Sequence, residues 1–249
     1  MRSGESIPHP AWAEERRVGS SPHHRLLAYL AVLFLVGAPA APARAATDEG
    51  ALWVTLHLAL PVADRLWAHL VAQPRFDDDV SRLQRVVLRP WLEAALPHGF
   101  SGALGYDAHV IENPQQSLEQ RIWQQVGYQR AWRPLRAFGG VRLEERFFEG
   151  DAGAALRARL RVGLGLPLPR SFELVAQNEG FWNLNRTGSI TRVGYRENRL
   201  SAGIGRPVGE RARADLGYQM QWQQRPASDR IFHTLMLGLR VELPPLPFP

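Results

Sequence analysis

The sequence contains neither lysine nor cysteine, although its 249 residues include 30 basic and 24 acidic ones. Without cysteine the chain can form no disulfide and can carry no acylated lipoprotein cysteine. All of its basic charge is therefore arginine, and the formal net charge is +6. The arginines alternate with aliphatic residues and form no contiguous patch of the kind that tracks a phosphate backbone. We therefore expect no nucleic-acid partner.

Long apolar runs are also scarce. After residue 45 no stretch approaches the roughly eighteen consecutive apolar residues of a transmembrane helix. This excludes a helical membrane protein but leaves a transmembrane β-barrel open, because barrel strands give a much weaker signal.

The longest apolar run lies near the N-terminus. Arg25 precedes LLAYLAVLFLVG (26–37), and APAAPARA (38–45) follows with Ala43 and Ala45 in an A-x-A arrangement. A basic flank, a short apolar run and this small-residue pattern are typical of a signal peptide. We predict an N-terminal extension and signal peptide over residues 1–45, cleaved near Ala45/Ala46. The remaining single domain, 46–249, has 25 arginines and 21 acidic residues, a net charge of +4.

Charge repeats at every second position in 156–166, which reads LRARLRVGLGL. In a helix the arginines and leucines would scatter around the axis, and two glycines would lie inside it. In a strand the leucines and Val162 share one face, and the arginines and glycines share the other. The pattern predicts a β-strand.

The same alternation recurs at 52–60, 85–94, 117–129 and 234–243, and more faintly at 65–74, 100–110, 135–148, 171–182, 192–205 and 211–222. No segment of helical length with a 3.6-residue period remains after residue 45. The candidate site residues are the charged members of these strands: Arg85, Arg89, Glu93, Glu119, Arg121, Arg142, Glu144, Arg146, Arg157, Arg159, Arg161, Glu179 and Arg199.

Alternation alone does not say which face is inside. The runs are often ten residues or longer, whereas soluble strands average about five to six. Aromatic residues gather near the strand ends, as the interfacial girdles of membrane barrels require. One arginine facing lipid at the midplane costs roughly 2–4 kcal/mol, so the charged rows must point into the lumen. We predict an antiparallel, up-and-down transmembrane β-barrel.

The connections give a strand count. Short ones rich in proline and glycine near 95–99, 130–135, 167–170 and 206–210 alternate with longer polar ones. Bacterial barrels have short periplasmic turns and longer outer loops, which gives ten strands with both chain ends in the periplasm. The segment 52–60 would add an eleventh strand and make the number odd. It is therefore either an extra periplasmic or edge segment, or one of twelve strands, of which another was not recognised.

Five motifs in order resemble a known family. They are E-x-R-I-W-Q-Q (119–125), R-L-E-E-R-F (142–147), R-A-R-L-R (157–161), N-E-G-F (178–181) and E-N-R-L-S-A-G (197–203). The sequence resembles the bacterial outer-membrane proteins catalogued as domain of unknown function 2490. The chain ends in PPLPFP and lacks the terminal aromatic residue that barrel-assembly machinery favours, since Phe248 is penultimate.

The resemblance implies a barrel fold and an outer-membrane location, but no activity and no catalytic residue. The partners expected there are outer-membrane lipid, lipopolysaccharide and, during biogenesis, the barrel-assembly machinery. We expect a monomer.

The sequence offers little catalytic chemistry. The histidines after residue 45 are His57, His69, His98, His109 and His233, and none has the spacing of a metal-ligand set. His98 and Ser101 lie close enough to suggest a base and a nucleophile, but they fall at a predicted turn. Asp77, Asp78 and Asp79 could bind calcium, but a solvated acidic loop is the better explanation. We expect no cofactor and no metal.

The charged lumen allows two interpretations. Rings of arginine can line an anion-selective pore. Alternatively, side chains fill a narrow barrel, and buried charges then pair with one another. We therefore predict a structural or surface-binding outer-membrane barrel, or a minor pore. The alternatives are a lipid-modifying membrane enzyme and a soluble periplasmic barrel that binds an apolar ligand.

Overall fold

A computed structural model describes residues 46–112, 117–225 and 228–245. The predicted signal peptide over 1–45 and the C-terminal Phe248 lie outside the described residues. Within these ranges the chain forms eleven strands: β1 (Ala46–Ala63), β2 (Leu66–Asp77), β3 (Arg82–Ala95), β4 (Phe100–Ile111), β5 (Ser117–Trp132), β6 (Leu135–Phe148), β7 (Ala155–Pro167), β8 (Glu173–Asn183), β9 (Gly194–Val208), β10 (Ala212–Gln223) and β11 (Asp229–Glu242).

The strands close into one barrel in chain order, which confirms the predicted all-β, antiparallel barrel. Consecutive strands pair antiparallel, but β1 and β11 pair in parallel, from Ala46 opposite Asp229 to Ala59 opposite Glu242. We call this pairing the parallel seam.

The predicted number of ten strands is wrong, and so is the alternative of twelve. The segment 52–60 lies in the middle of β1, where it forms the seam. Our count assumed that every neighbouring pair is antiparallel, which forces an even number. A parallel closure permits an odd one. For the same reason the barrel strands begin and finish on opposite sides, because β1 begins at one end of the barrel and β11 finishes at the other.

The connections divide between the two ends as the sequence predicted. One end, here called the turn end, carries 64–65, 96–99, 133–134, 168–172 and 209–211. The opposite end, the loop end, carries 78–81, 149–154 and 184–193, and β4 and β10 finish there. Two turn-end connections share an L-P-x-x-F sequence, at 96–100 and 168–172. In each the leucine N–H donates to the phenylalanine carbonyl, at 2.9 and 2.7 Å.

The faces of the strands differ as the alternation requires. Leu104, Val126 and Val141 are each 57 % exposed on the outer wall. Glu144 on β6 and Asp107 on β4 are fully buried inside. The described residues contain no helix with the length and apolarity needed to cross a membrane.

Two bulges interrupt the alternation near the loop end. Gln84 has no partner on β2, because the register shifts between Arg75 and Phe76. Arg196 likewise has no partner on β8, where the register shifts between Phe181 and Trp182. A bulge inserts one residue and redirects the side chains around it. Both extra residues thereby line the interior at the loop end.

Candidate functional site

The interior has two parts of different chemistry. Toward the turn end, aromatic and histidine side chains pack over glycines, and we call this part the aromatic layer. Toward the loop end, arginines and carboxylates surround a cavity of about 380 Å³, which we call the loop-end cavity.

The aromatic layer is built on β1 to β5. His69 stacks on Trp91 with ring centroids 4.4 Å apart, and His57 Nε2 lies 3.1 Å from His69 Nδ1. Trp123, which is 1 % exposed, lies over Gly105, where a Cβ would collide with its ring and would come within 2.7 Å of Trp91 Cβ. Glycine at 105 thus creates the space that the two indoles fill.

Asp107 joins the two parts. Its Oδ1 accepts hydrogen bonds from Arg89 Nε at 2.8 Å and from Trp123 Nε1 at 2.7 Å. Its Oδ2 accepts from Arg89 Nη2 at 2.8 Å and lies 3.4 Å from His109 Nε2. A buried carboxylate needs such a set of partners, since an unpaired buried charge is costly.

The arginines and glutamates of β5 to β9 that pair inside the barrel form a network, which we call the charged belt. Glu144 is one of its two centres. It accepts from Arg157 Nε at 2.7 Å and also contacts the Nη2 of that residue. Nη1 of Arg121 lies 3.9 Å from one Glu144 oxygen, and Nη1 of Arg159 lies 3.8 Å from the other. Three arginines from β5 and β7 therefore converge on one fully buried carboxylate.

Glu119 forms a second centre on the same strand as Arg121. Arg121 donates to both of its carboxylate oxygens, at 2.8 and 3.0 Å, and Arg146 Nε donates at 2.6 Å. The remaining pairs run around the barrel: Arg159 Nη2 donates to Glu179 Oε1 at 2.5 Å, and Arg199 Nη2 lies 2.6 Å from Glu197 Oε1.

Four predicted site residues do not join this network. Arg142 stacks on the Trp123 ring at 3.6 Å and donates to Gln125. Arg161 lies 5.9 Å from the Phe138 ring, and Arg85 donates to Gln84. Glu93 is at the turn end, with an oxygen 3.8 Å from His69 Nε2. None of these three arginines has a carboxylate within 4 Å among the described residues.

Arginine outnumbers acid around the loop-end cavity. Ten arginines line it, but only Asp77, Glu119 and Glu197 contribute carboxylates to its surface. Six of the ten contact a carboxylate, in the lining or directly behind it: Arg89, Arg121, Arg146, Arg157, Arg159 and Arg199.

The other four lining arginines have no carboxylate within 4 Å in the described part of the chain. A neutral glutamine accepts from each of them: Gln73 from Arg75, Gln84 from Arg85, Gln224 from Arg196 and Gln223 from Arg225. The glutamines orient these guanidinium groups without neutralising them. At the mouth, partial burial and the positive charge of Arg230 lower the pKa of Arg225, and Glu49 opposes that shift.

Sequence reasoning missed several of these residues. Asp107 belongs to the fainter alternation at 100–110, and its position opposite Arg121 could have been found by pairing β4 with β5. Arg75 and Glu197 also lie on strands that were recognised only faintly. Arg196 enters the cavity through a bulge, which no alternation pattern predicts.

The residues considered for catalysis and metal binding are dispersed. His98 lies in the 96–99 turn with φ of 61°, and no hydrogen bond links it to Ser101 among the described contacts. Asp77 is bound by Arg82 and Gln84, while Asp79 accepts from the Gly50 N–H at 3.1 Å. The described ranges contain no group of three or more potential metal-binding side chains.

A polar chain also crosses the seam on the outer wall. Tyr218 Oη lies 2.6 Å from His233 Nδ1, and His233 Nε2 lies 3.5 Å from Asp48 Oδ1. These residues belong to β10, β11 and β1. They therefore link three strands at the point where the barrel closes.

The profile of a family described as "Protein of unknown function (DUF2490)" matches residues 50–232, which include most of the barrel and nearly all of the charged belt. The chain belongs to this family. This confirms the resemblance drawn from the five motifs, and the DUF2490 description assigns no activity.

One curated relative is an uncharacterized protein of Methylorubrum extorquens, 28 % identical over 232 residues. The alignment covers 88 % of this chain and 98 % of that protein. No solved structure matches the chain. The function of this DUF2490 protein must therefore be argued from its own side chains.

Proposed function

We propose that this protein is an outer-membrane β-barrel that serves as a structural or surface-binding protein and does not conduct ions. Two features of the barrel support the membrane location. Exposed leucines, valines and isoleucines cover the outer wall, while the arginines of the same strands are inside. In water such a wall would form an exposed apolar surface far larger than monomeric soluble proteins tolerate.

Aromatic residues support the same location. Trp182, Tyr195 and Trp222 stack in sequence on the outer wall near the loop end, with centroid separations of 5.1 and 5.8 Å. Their amphipathic rings suit the boundary between lipid and water. In this placement the loop end faces the exterior, as in bacterial barrels generally.

The closed interior argues against a porin. On the turn-end side of the cavity, Trp123 and Asp107 are almost completely buried, which supports a filled interior where a channel would have to pass. This filling is the observation that carries the choice of a binding or structural role over a pore.

The test is expression of the full chain followed by membrane fractionation and recording in planar lipid bilayers. We expect the protein in the outer-membrane fraction, with faster migration in unboiled detergent gels and no steady conductance. Recovery as a soluble periplasmic monomer would favour the apolar-ligand carrier. Stable anion-selective currents would favour the pore.

Two adjacent residues of β7 test which face meets lipid. Leu160→Arg places a charge on the outer wall and should reduce assembly strongly, at a cost of roughly 2–4 kcal/mol. Arg161→Leu changes the interior face, where this arginine has no carboxylate partner among the described residues, and should be tolerated far better. Equal recovery of both variants in membranes would show that the outer wall does not contact lipid.

A further inference from the structure

We infer that the loop-end cavity is a binding site for a phosphate-bearing anion that enters from the loop end. The inference goes beyond the proposed function, which requires no particular ligand. It rests on the uneven charge of the cavity, on how its arginines are held, and on its size.

The charge imbalance is concentrated in four arginines. Arg75, Arg85, Arg196 and Arg225 line the cavity and have only neutral glutamines as described hydrogen-bond acceptors from their side chains, together with the Gln224 carbonyl that Arg196 also reaches. A chain that needed only internal pairing could carry glutamate at those glutamine positions. Four positive charges around one cavity, none with a described carboxylate within 4 Å, instead favour an anion from outside the protein.

The arginines are also held in place before any ligand arrives. The Arg75 guanidinium, 7 % exposed, stacks on the Trp53 ring at 3.8 Å and donates to Gln73 through Nε. This leaves its terminal amino groups without a described acceptor. Arg199 lies 4.7 Å from the Phe181 ring and is fixed by Glu197. Stacked, oriented guanidinium groups match the geometry of phosphate oxygens, which they bind in a bidentate manner.

The size of the cavity limits the ligand. A volume of about 380 Å³ lies at the lower end of small-molecule sites, which span about 300–1,000 Å³. It suits a compact anion with one or two phosphoryl groups. Two sources can supply that chemistry at the exterior face: a soluble phosphate ester, or the phosphorylated headgroup of lipopolysaccharide.

The experiment is titration calorimetry of the full chain in detergent micelles with sodium pyrophosphate as the probe. We expect saturable binding that weakens as sodium chloride is raised, because the attraction is electrostatic. Arg75→Gln and Arg85→Gln should each weaken binding about tenfold, the effect of losing one charge-assisted hydrogen bond. Arg161→Gln is the matched control, since it removes an interior arginine that does not line the cavity.

Heat-modifiable gel migration of each variant shows whether the barrel has folded, so lost binding is interpreted only for folded protein. If Arg85→Gln fails to fold, Arg225→Gln at the mouth replaces it. Absence of pyrophosphate binding by the folded wild type would overturn the inference. An equal loss of pyrophosphate affinity in the Arg161→Gln control would overturn it too. So would complete displacement of pyrophosphate by an equimolar concentration of sodium chloride.

A competition arm identifies the source. Lipid A carrying two phosphates is added in nanodiscs, with nanodiscs of phosphatidylcholine alone as the control. Competition by lipid A supports the site and assigns it to the lipid headgroup, whereas binding of pyrophosphate without such competition supports it and assigns it to a soluble ester. A negative result in the pyrophosphate titration or in the lipid A competition leaves the proposed membrane location unaffected, because fractionation and conductance recordings test that location separately.

Discussion

The aromatic layer and the loop-end cavity differ in how completely side chains fill the interior of the barrel. In the aromatic layer, Trp91 and Trp123 fill the space above Gly105. Around the loop-end cavity, charged side chains leave an open volume of about 380 Å³, and some of their charge lacks an internal partner. One part is filled mainly by aromatic and histidine side chains, and the other is open and basic. We propose that the first closes the barrel and that the second binds an anion.

The two parts depend on each other through Asp107. This carboxylate accepts from Arg89 of the cavity lining and from Trp123 of the aromatic layer. Without Asp107, Arg89 would have no carboxylate within 4 Å among the described residues. The variants below test the charged belt, the cavity, the aromatic layer and the loop end in turn.

The largest effect is expected where the charged belt converges. Glu144→Ala leaves Arg157 with no carboxylate partner within 4 Å among the described residues, and it removes one partner each from Arg121 and Arg159. Loss of one member of a buried charge cluster costs about 3–5 kcal/mol. Glu145→Ala, on the opposite face of β6, should change the free energy of unfolding by less than about 1 kcal/mol. Urea unfolding in micelles measures both, and equal costs would mean that the belt is solvated.

Two arginines that line the cavity differ in whether a carboxylate pairs with them, and their variants should differ in stability. Arg89→Gln removes two hydrogen bonds from buried Asp107 and should destabilise the anion-free barrel by about 3 kcal/mol. Arg75→Gln removes a guanidinium with no carboxylate partner in the described structure, so its cost should stay under about 1 kcal/mol. Thermal unfolding without added phosphate provides the comparison. If Arg75→Gln costs as much as Arg89→Gln, the cavity is not electrostatically unbalanced.

Added side-chain volume should destabilise the aromatic layer. Gly105→Ala adds a Cβ that collides with Trp123, and overpacking of this kind costs about 1–3 kcal/mol. Gly102→Ala on the same strand meets only Leu96 Cδ1 at 3.9 Å and should be close to neutral. Conductance recordings on Gly105→Ala add a second readout, because a displaced Trp123 would open the filled section. A fully stable, non-conducting variant would contradict the packing described here.

The smallest effect concerns pH at the loop end. The Ser189 N–H and the Thr187 hydroxyl donate to Asp151, and these hydrogen bonds lower the pKa of its carboxyl. A carboxylate with a lowered folded-state pKa contributes stability above its unfolded pKa of about 3.9, and loses it as the pH falls through the folded value. We expect amide exchange in 184–193 to accelerate only below about pH 4. Asp151→Asn should remove that dependence, and an unchanged profile would show that the contact is not formed.

Much of the fold could be predicted from local pattern. Alternation around Leu160 and Arg161 identifies a strand and its two faces, because side-chain direction in a strand has a period of two. The position of the seam could not be predicted, since β1 has the same alternation whether its neighbour runs parallel or antiparallel. Strand polarity is decided by pairing between distant segments.

The candidate site was predicted in part, for related reasons. Glu119, Arg121 and Glu144 stand out because charge recurs strictly at every second residue. The excess of arginine at the cavity depends on which strands become neighbours and on bulges at Gln84 and Arg196, which redirect single residues. Gly105 carries a signal that we did not use, since a glycine on an inward face leaves room for a large neighbouring side chain.

Because of the parallel seam, the first and last strands of the barrel can be tagged on opposite sides. In the proposed outer-membrane placement, epitopes fused ahead of β1 and behind β11 would report from opposite compartments, because β1 begins at the loop end and β11 finishes at the turn end. Antibody staining of intact cells should therefore detect one of them and not the other. In a barrel with an even number of strands, the two would be detected or hidden together.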